Sequence, residues 1–125
     1  MSATTDMVWF LNQQTAITAY VDDRIEHAPL GQGQDIPAIT YQLISTPRGY
    51  AQNERSGVAQ PRIQLDVWSD DDVEAGAIAA LIVVALDKWR AQFGGGATVE
   101  GPRDGYEADT GLYRQMLDVT LDYTE

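Results

Sequence analysis

The chain is 125 residues long and carries 19 acidic against 8 basic side chains, a formal net charge of −11. Such a surface repels phosphate backbones, because DNA binding depends on cations that displace condensed counterions, so direct nucleic-acid recognition is not expected. With no cysteine in the sequence, a disulfide framework, a thiolate metal site and a thiol nucleophile are all excluded.

The length suits one domain, residues 1–125, able to bury roughly two-thirds of the surface its unfolded chain would expose. The longest apolar run, Ala77 to Leu86, is about half of what a membrane-spanning helix needs. MSATTDMVWF has no positive charge ahead of an apolar segment and does not read as a secretory signal, so a soluble intracellular protein is expected. The plain account of the acidity is solubility or a salty host.

In chain order, Asp6 to Tyr20 predicts a first helix, with Thr4 or Thr5 as N-cap and Met7, Phe10, Leu11, Ile17 and Val21 near one face. Val21 to Pro37 mixes charge, two prolines and two glycines and predicts an irregular connection with at most a short extended piece around Ile25. Ala38 to Thr46 is a strand: Ile39, Tyr41 and Leu43 alternate with Thr40, Gln42 and Ile44, and Pro47 ends it. Pro47 to Pro61, with Arg48, Tyr50 and Arg55, reads as an extended connection between two strands of a hairpin.

Arg62 to Trp68 is the second strand, its Ile63, Leu65 and Val67 turned to the core and its Gln64, Asp66 and Trp68 to the other face. Trp68 has two readings there, a cross-strand partner for Ile44 or another neighbour, or a contact with another subunit. Ser69 or Asp70 is the expected cap of a long helix running to Phe93. Ile78, Leu81, Ile82, Ala85 and Trp89 form its stripe, and Val73, Ala77, Ala80 and Val84 widen it. Gly94 to Gly96 stops the helix; it lacks the context of a phosphate cradle. Ala97 to Gly101 is a short strand, Pro102 to Gly111 a turn-rich loop, and Leu112 to Thr124 a final alternating strand. In that last strand Tyr113, Leu117, Val119, Leu121 and Tyr123 share one face with Gln115 as the exception, and Asp118 and Asp122 lie on a polar, acidic one.

The expected fold class is α+β, a mostly antiparallel sheet of about four strands with two helices on one side, in the order α-β-β-α-β-β. Nothing spells out a chemistry. His27 is the one histidine and lies beside Glu26 in an expected loop, which argues against a zinc site. Asp70 to Asp72 and the acids of the Pro102–Gly111 loop lack the ligand order of a calcium site. No cofactor, no metal and no catalytic set is expected.

Four stretches together carry a resemblance: IPAITYQLIS (Ile36 to Ser45), RSGV with RIQLDVWS (Arg55 to Ser69), the Ala-rich helix ending in ALDKW, and YEADTGLYRQMLDVTLDY (Tyr106 to Tyr123). In order and spacing the chain resembles the small tail-completion proteins of long-tailed bacteriophages and prophages, also called tail terminator or tail-to-head joining proteins. The resemblance implies a non-enzymatic structural protein in the virion tail, assembled in the bacterial host cytoplasm. It would form a homo-oligomeric ring, typically a hexamer, on the head-proximal end of the tail tube, stop tube polymerisation and offer a surface to the head connector. Its partners would be the major tail tube protein and the connector, with DNA passing through the lumen and no membrane involved. Within it, Arg48, Tyr50, Arg55 and Trp68 are candidate subunit contacts, and Asp118 and Asp122 are candidate lumen-lining acids. The competing readings are a head-tail connector component, an acidic DNA mimic, and an enzyme with a deep pocket that the sequence gives no reason to expect.

Overall fold

The fold is described from a computed structural model for residues 3–45, 58–89 and 96–124. Two short helices, α1 (Ala3–Asn12) and α2 (Thr15–Val21), precede β1 (Ile25–His27), β2 (Ala38–Ser45), β3 (Val58–Ala59) and β4 (Arg62–Ser69). Helix α3 (Asp72–Leu86) follows, then β5 (Ala97–Glu107), β6 (Leu112–Leu121) and β7 (Tyr123–Thr124). Five strands form one sheet in the order β1-β2-β4-β6-β5, while β3 and β7 pair apart from it. Within the larger sheet β1 runs parallel to β2, and the other pairings are antiparallel.

The α+β class stands, with details corrected: five strands rather than four, and three helices rather than two among the described residues. The expected first helix is two. From Leu11, a continuous helix would turn Gln14, Thr15 and Thr18 inward. Instead Gln14 adopts an extended backbone (φ −89°, ψ 101°) and its Nε2 donates to the Phe10 carbonyl at 3.0 Å, which brings Ile17 and Val21 into the core. Thr4 and Thr5 lie inside α1 rather than capping it.

A second correction concerns β5. The Gly101-Pro102 pair reads as a break, yet the strand runs through it with a bulge between Glu100 and Arg103. An edge strand tolerates a proline that cannot donate to a ladder. Gly101 has φ +105°, and a Cβ there would stand 2.7 Å from the Met116 carbonyl oxygen. Gly101→Ala is therefore expected to cost about 1–3 kcal/mol in chemical denaturation.

The helices and one sheet face share a single buried cluster, which includes Met7, Leu11, Ile17, Ile39, Leu65, Ile82, Trp89 and Leu117. Leu43, on the inward pattern of β2, is exposed, and Ile44 is exposed at a bulge between Leu43 and Ser45. The terminal strand ends at Leu121 in the large sheet, and Tyr123–Thr124 pairs with β3 instead.

Asp71, not Ser69 or Asp70, caps α3: its Oδ1 accepts from the Val73 amide at 2.9 Å. Ser69 braces the turn by accepting from the Asp71 amide and donating to Glu74 Oε1. The acidic cluster is thus a helix start, as its dipole favours. Ala75, Ile78, Ala79, Ile82, Ala85 and Leu86 are buried. Val73, Ala80 and Val84, expected to widen the buried stripe, point outward, with Val73 80% and Val84 57% exposed. A Cβ at Gly76 would meet nothing within 4 Å. Gly76→Ala should then raise stability by about 0.5–1 kcal/mol, measured at low protein concentration, because a helix-interior glycine costs backbone entropy. Residues 90–93, expected to continue this helix, fall outside the described residues.

Candidate functional site: the open face of the sheet

The face of the sheet turned away from the helices is built from every second residue of β2, β4 and β6. In-register pairs put Ala38 opposite Trp68, Thr40 opposite Asp66, Trp68 opposite Arg114 and Gln64 opposite Asp118. Trp68 therefore has the cross-strand neighbours that alternation allowed, Ala38 and Arg114 rather than Ile44. Its Nε1 donates to Thr40 Oγ1 at 3.0 Å, and the Arg114 guanidinium carbon lies 4.8 Å from its ring centroid. That stacking is a cation–π contact. Trp68 is buried within the subunit, with 7% of its surface exposed.

Arg114 is fixed from a second side, since its Nη2 donates to Asp66 Oδ2 at 2.8 Å. Gln64 Nε2 donates to Asp66 Oδ1 at 3.0 Å, so both oxygens of this buried carboxylate are engaged. Arg114 Nε is buried without a hydrogen-bond partner. The result is a locked polar floor in which each side chain has few alternative positions. Above it the 28–36 connection and the β5–β6 turn enclose a hollow of ≈ 700 Å³, lined among others by Leu30, Ile36, Thr40, Trp68, Thr110 and Arg114.

Toward the other end of the face Arg103 Nη2 contacts Asp118 Oδ2 at 3.3 Å, with Asp118 still partly exposed. By register, Arg62, Arg103 and Arg114 share the face with Glu26, Asp66, Asp118, Glu100 and Glu107. Its charge is mixed, three cations against five carboxylates, rather than uniformly acidic. Asp122 sits past the end of β6, where it joins segments: Oδ1 accepts from Gln60 Nε2 at 3.0 Å, and Oδ2 accepts from the Gly96 amide at 3.3 Å. Its backbone N–H donates to the Gly96 carbonyl, and its own carbonyl accepts from Trp89 Nε1 at 3.5 Å.

Of the candidate subunit contacts, Trp68 is in the floor just described, whereas Arg48, Tyr50 and Arg55 lie outside the described residues. His27 is on the edge strand β1 rather than in a loop, its Nδ1 2.8 Å from the Ala28 carbonyl and its ring edge-on to Tyr41. Among the described residues no group of three or more His, Asp or Glu is placed to hold a metal ion. No helix among them is long and apolar enough to cross a membrane. Sequence reasoning missed the Asp66–Arg114–Trp68–Thr40 set, although alternation had put Asp66, Trp68 and Arg114 on outward faces of two strands. What was lacking was the register that joins them.

The polar floor, buried and internally satisfied but for one guanidinium nitrogen, thus underlies a hollow on one face of a small α+β domain. The family model described as tail completion protein gp17 matches residues 5–123. The chain belongs to that family, and its role is in phage tail completion, in the virion tail, in contact with other tail components. A comparison with curated proteins returned no match.

Proposed function

We propose that the chain, acting as one domain over residues 1–125, is a non-enzymatic tail terminator. It forms a ring, of six copies, on the head-proximal end of the tail tube, stops tube polymerisation and presents a surface to the head connector. The observation that carries this reading is a family match that runs almost from end to end of the chain rather than over one motif. Two dissimilar uncovered sides, the open sheet face and the outer helix layer, support it, because a head-to-tail ring needs two different surfaces on each subunit. Arg48, Tyr50 and Arg55 are proposed contacts between copies, and Trp68 acts with them by holding Arg114 in the floor of the hollow.

Electron microscopy of the purified protein with and without tail tubes tests this. Rings capping one tube end are expected; monomers that ignore tubes would sink the reading. Trp68→Ala is expected to lower both the thermal midpoint and the fraction of capped tubes. Trp68→Phe, which keeps a ring under Arg114 but loses the Thr40 bond, should fall between.

Asp118 and Asp122 are proposed to line the lumen, where carboxylates keep passing DNA from sticking. Asp118→Asn should slow DNA ejection while rings still form, and unchanged ejection kinetics would count against the assignment. The connector reading within the same particle is separated by the tube end experiment, since a connector component would bind the head portal and leave free tubes growing. A monomeric acidic DNA mimic would likewise leave tubes uncapped.

A further inference from the structure

We propose that the hollow on the open sheet face receives the indole of Trp9 from the next copy of this chain, so that an anchor on one side of each subunit fills a socket on the other side of its neighbour. The inference rests on the proposed ring and names the groups that join its copies. Trp9 lies on α1 with 50% of its surface exposed, whereas Trp68 and Trp89 are buried. Its Nε1 has no partner among the described residues. An indole N–H donates and does not accept, and a covered tryptophan usually gives it an acceptor.

The hollow supplies that acceptor. In its floor Asp66 and Arg114 are matched to each other, so the charge left open is the carboxylate of Glu107 on the wall. Glu107 is half-buried, and its carbonyl accepts from the Thr110 hydroxyl and the Gly111 amide. Its carboxylate has no partner among the described residues. Leu30, Ile36 and Leu112 give the same space apolar walls. A flat apolar ring with a single donor suits this lining. A second carboxylate would be repelled by Glu107, and a lone ammonium would leave the apolar walls uncovered. Thr5, Asn12 and Gln13 stand beside Trp9 at helical spacing, all exposed, and match the neutral amides of Gln32 and Gln34 at the socket.

Charge favours the same two surfaces. Copies that each carry −11 approach most easily where neither presents charge. From Met7 to Val21 the sequence has no charged side chain, and the socket wall from Ala28 to Gln34 has none either. Trp9 does not reach the hollow of its own subunit, because α1 packs on the opposite face of the sheet. The contact is therefore head-to-tail. It leaves a free anchor at one end of any open row of copies and a free socket at the other, and a ring closes the two on each other.

The experiment uses the full chain. In sedimentation velocity from nanomolar to high micromolar concentration, the wild type is expected to self-associate, and Trp9→Ala to do so about tenfold or more weakly, as for a tryptophan anchor seated in a pocket. Trp9→Phe, which keeps a ring without the donor, should fall between. Glu107→Leu should weaken the wild type but add little to Trp9→Phe, because the two changes remove the same bond. Gln32→Tyr, at an exposed lining residue, fills the socket and should also leave monomers. Mixed together, the Trp9→Ala and Gln32→Tyr proteins should form one-to-one pairs and nothing larger, since one keeps the socket and the other the anchor. With Trp68 and Trp89 buried, Trp9 also reports directly: tryptophan emission should shift to the blue with concentration in the wild type and stay fixed in Gln32→Tyr. Thermal midpoints at low concentration check that each variant folds. A wild type that stays monomeric, unchanged association in Trp9→Ala, or a mixture that fails to pair would each overturn the proposal. Tube capping reports separately on the ring reading. A wild type that associates through Trp9 yet leaves tubes uncapped removes the tube-end role alone, whereas Trp9→Ala that caps tubes as the wild type does overturns the contact.

Discussion

Trp89→Ala is expected to lower stability by about 3–5 kcal/mol, the range for deleting a large buried aromatic. The side chain is fully buried just past α3 and touches the first and last parts of the chain at once. Its ring meets Phe10 of α1 edge to face, centroids 5.4 Å apart at 78°. Its Nε1 reaches the Asp122 carbonyl at 3.5 Å, a long bond that adds little beside the packing. Chemical denaturation measures the loss. Hydrogen exchange should show α1 and the end of β6 losing protection before β4. A loss below about 1 kcal/mol would mean that the surrounding side chains collapse into the space, which the density of protein interiors argues against.

The second large effect belongs to the open face. Arg114→Ala strands the buried Asp66 carboxylate with Gln64 as its one remaining donor and uncovers the Trp68 ring. Removing one partner of a buried ion pair costs about 3–5 kcal/mol. Arg114 keeps 29% of its side chain exposed, so about 2–4 kcal/mol is expected here. The paired change Asp66→Leu with Arg114→Met should cost clearly less than Arg114→Ala alone, because no unpaired charge is then left behind. If the double variant is the worse of the two, packing on Trp68 rather than the ion pair dominates. Tube capping measured on the double variant then separates the shape of the floor from its charge.

The sequence made strands legible wherever one face is apolar and the other polar. Ile63, Leu65 and Val67 alternate with Gln64, Asp66 and Trp68, and the structure buries the first set under the helices. It misled where one local signal stood for two geometries. Gly101-Pro102 marks a loop in most contexts and a bulge in an edge strand here, and only the pairing of Thr98 with Thr120 and of Arg103 with Met116 distinguishes them. The helix α3 misled differently. A continuous apolar run has no preferred face, so periodicity could not tell the buried Ile78 from the exposed Val84. For the site, the residue types were visible but their meeting was not: Asp66 and Arg114 are 48 positions apart, and their contact depends on which strand lies beside β4. Of the two readings of Trp68, a cross-strand partner or a subunit contact, the structure supplies the first, with Arg114 and Thr40 rather than Ile44 as neighbours.

The bulge in β5 bears on how this protein survives at high concentration. A long edge strand with a free ladder is a template on which stray strands stack into aggregates. Here Gly101-Pro102 removes a donor and turns the backbone midway, and Glu100, Arg103 and Asp104 place charge on both sides of the turn. An approaching strand finds no run of ladder long enough to zip onto. Smoothing the bulge, for example by replacing Gly101-Pro102 with a single threonine, should raise the fraction of subunit that precipitates during expression, even if the core tolerates the change.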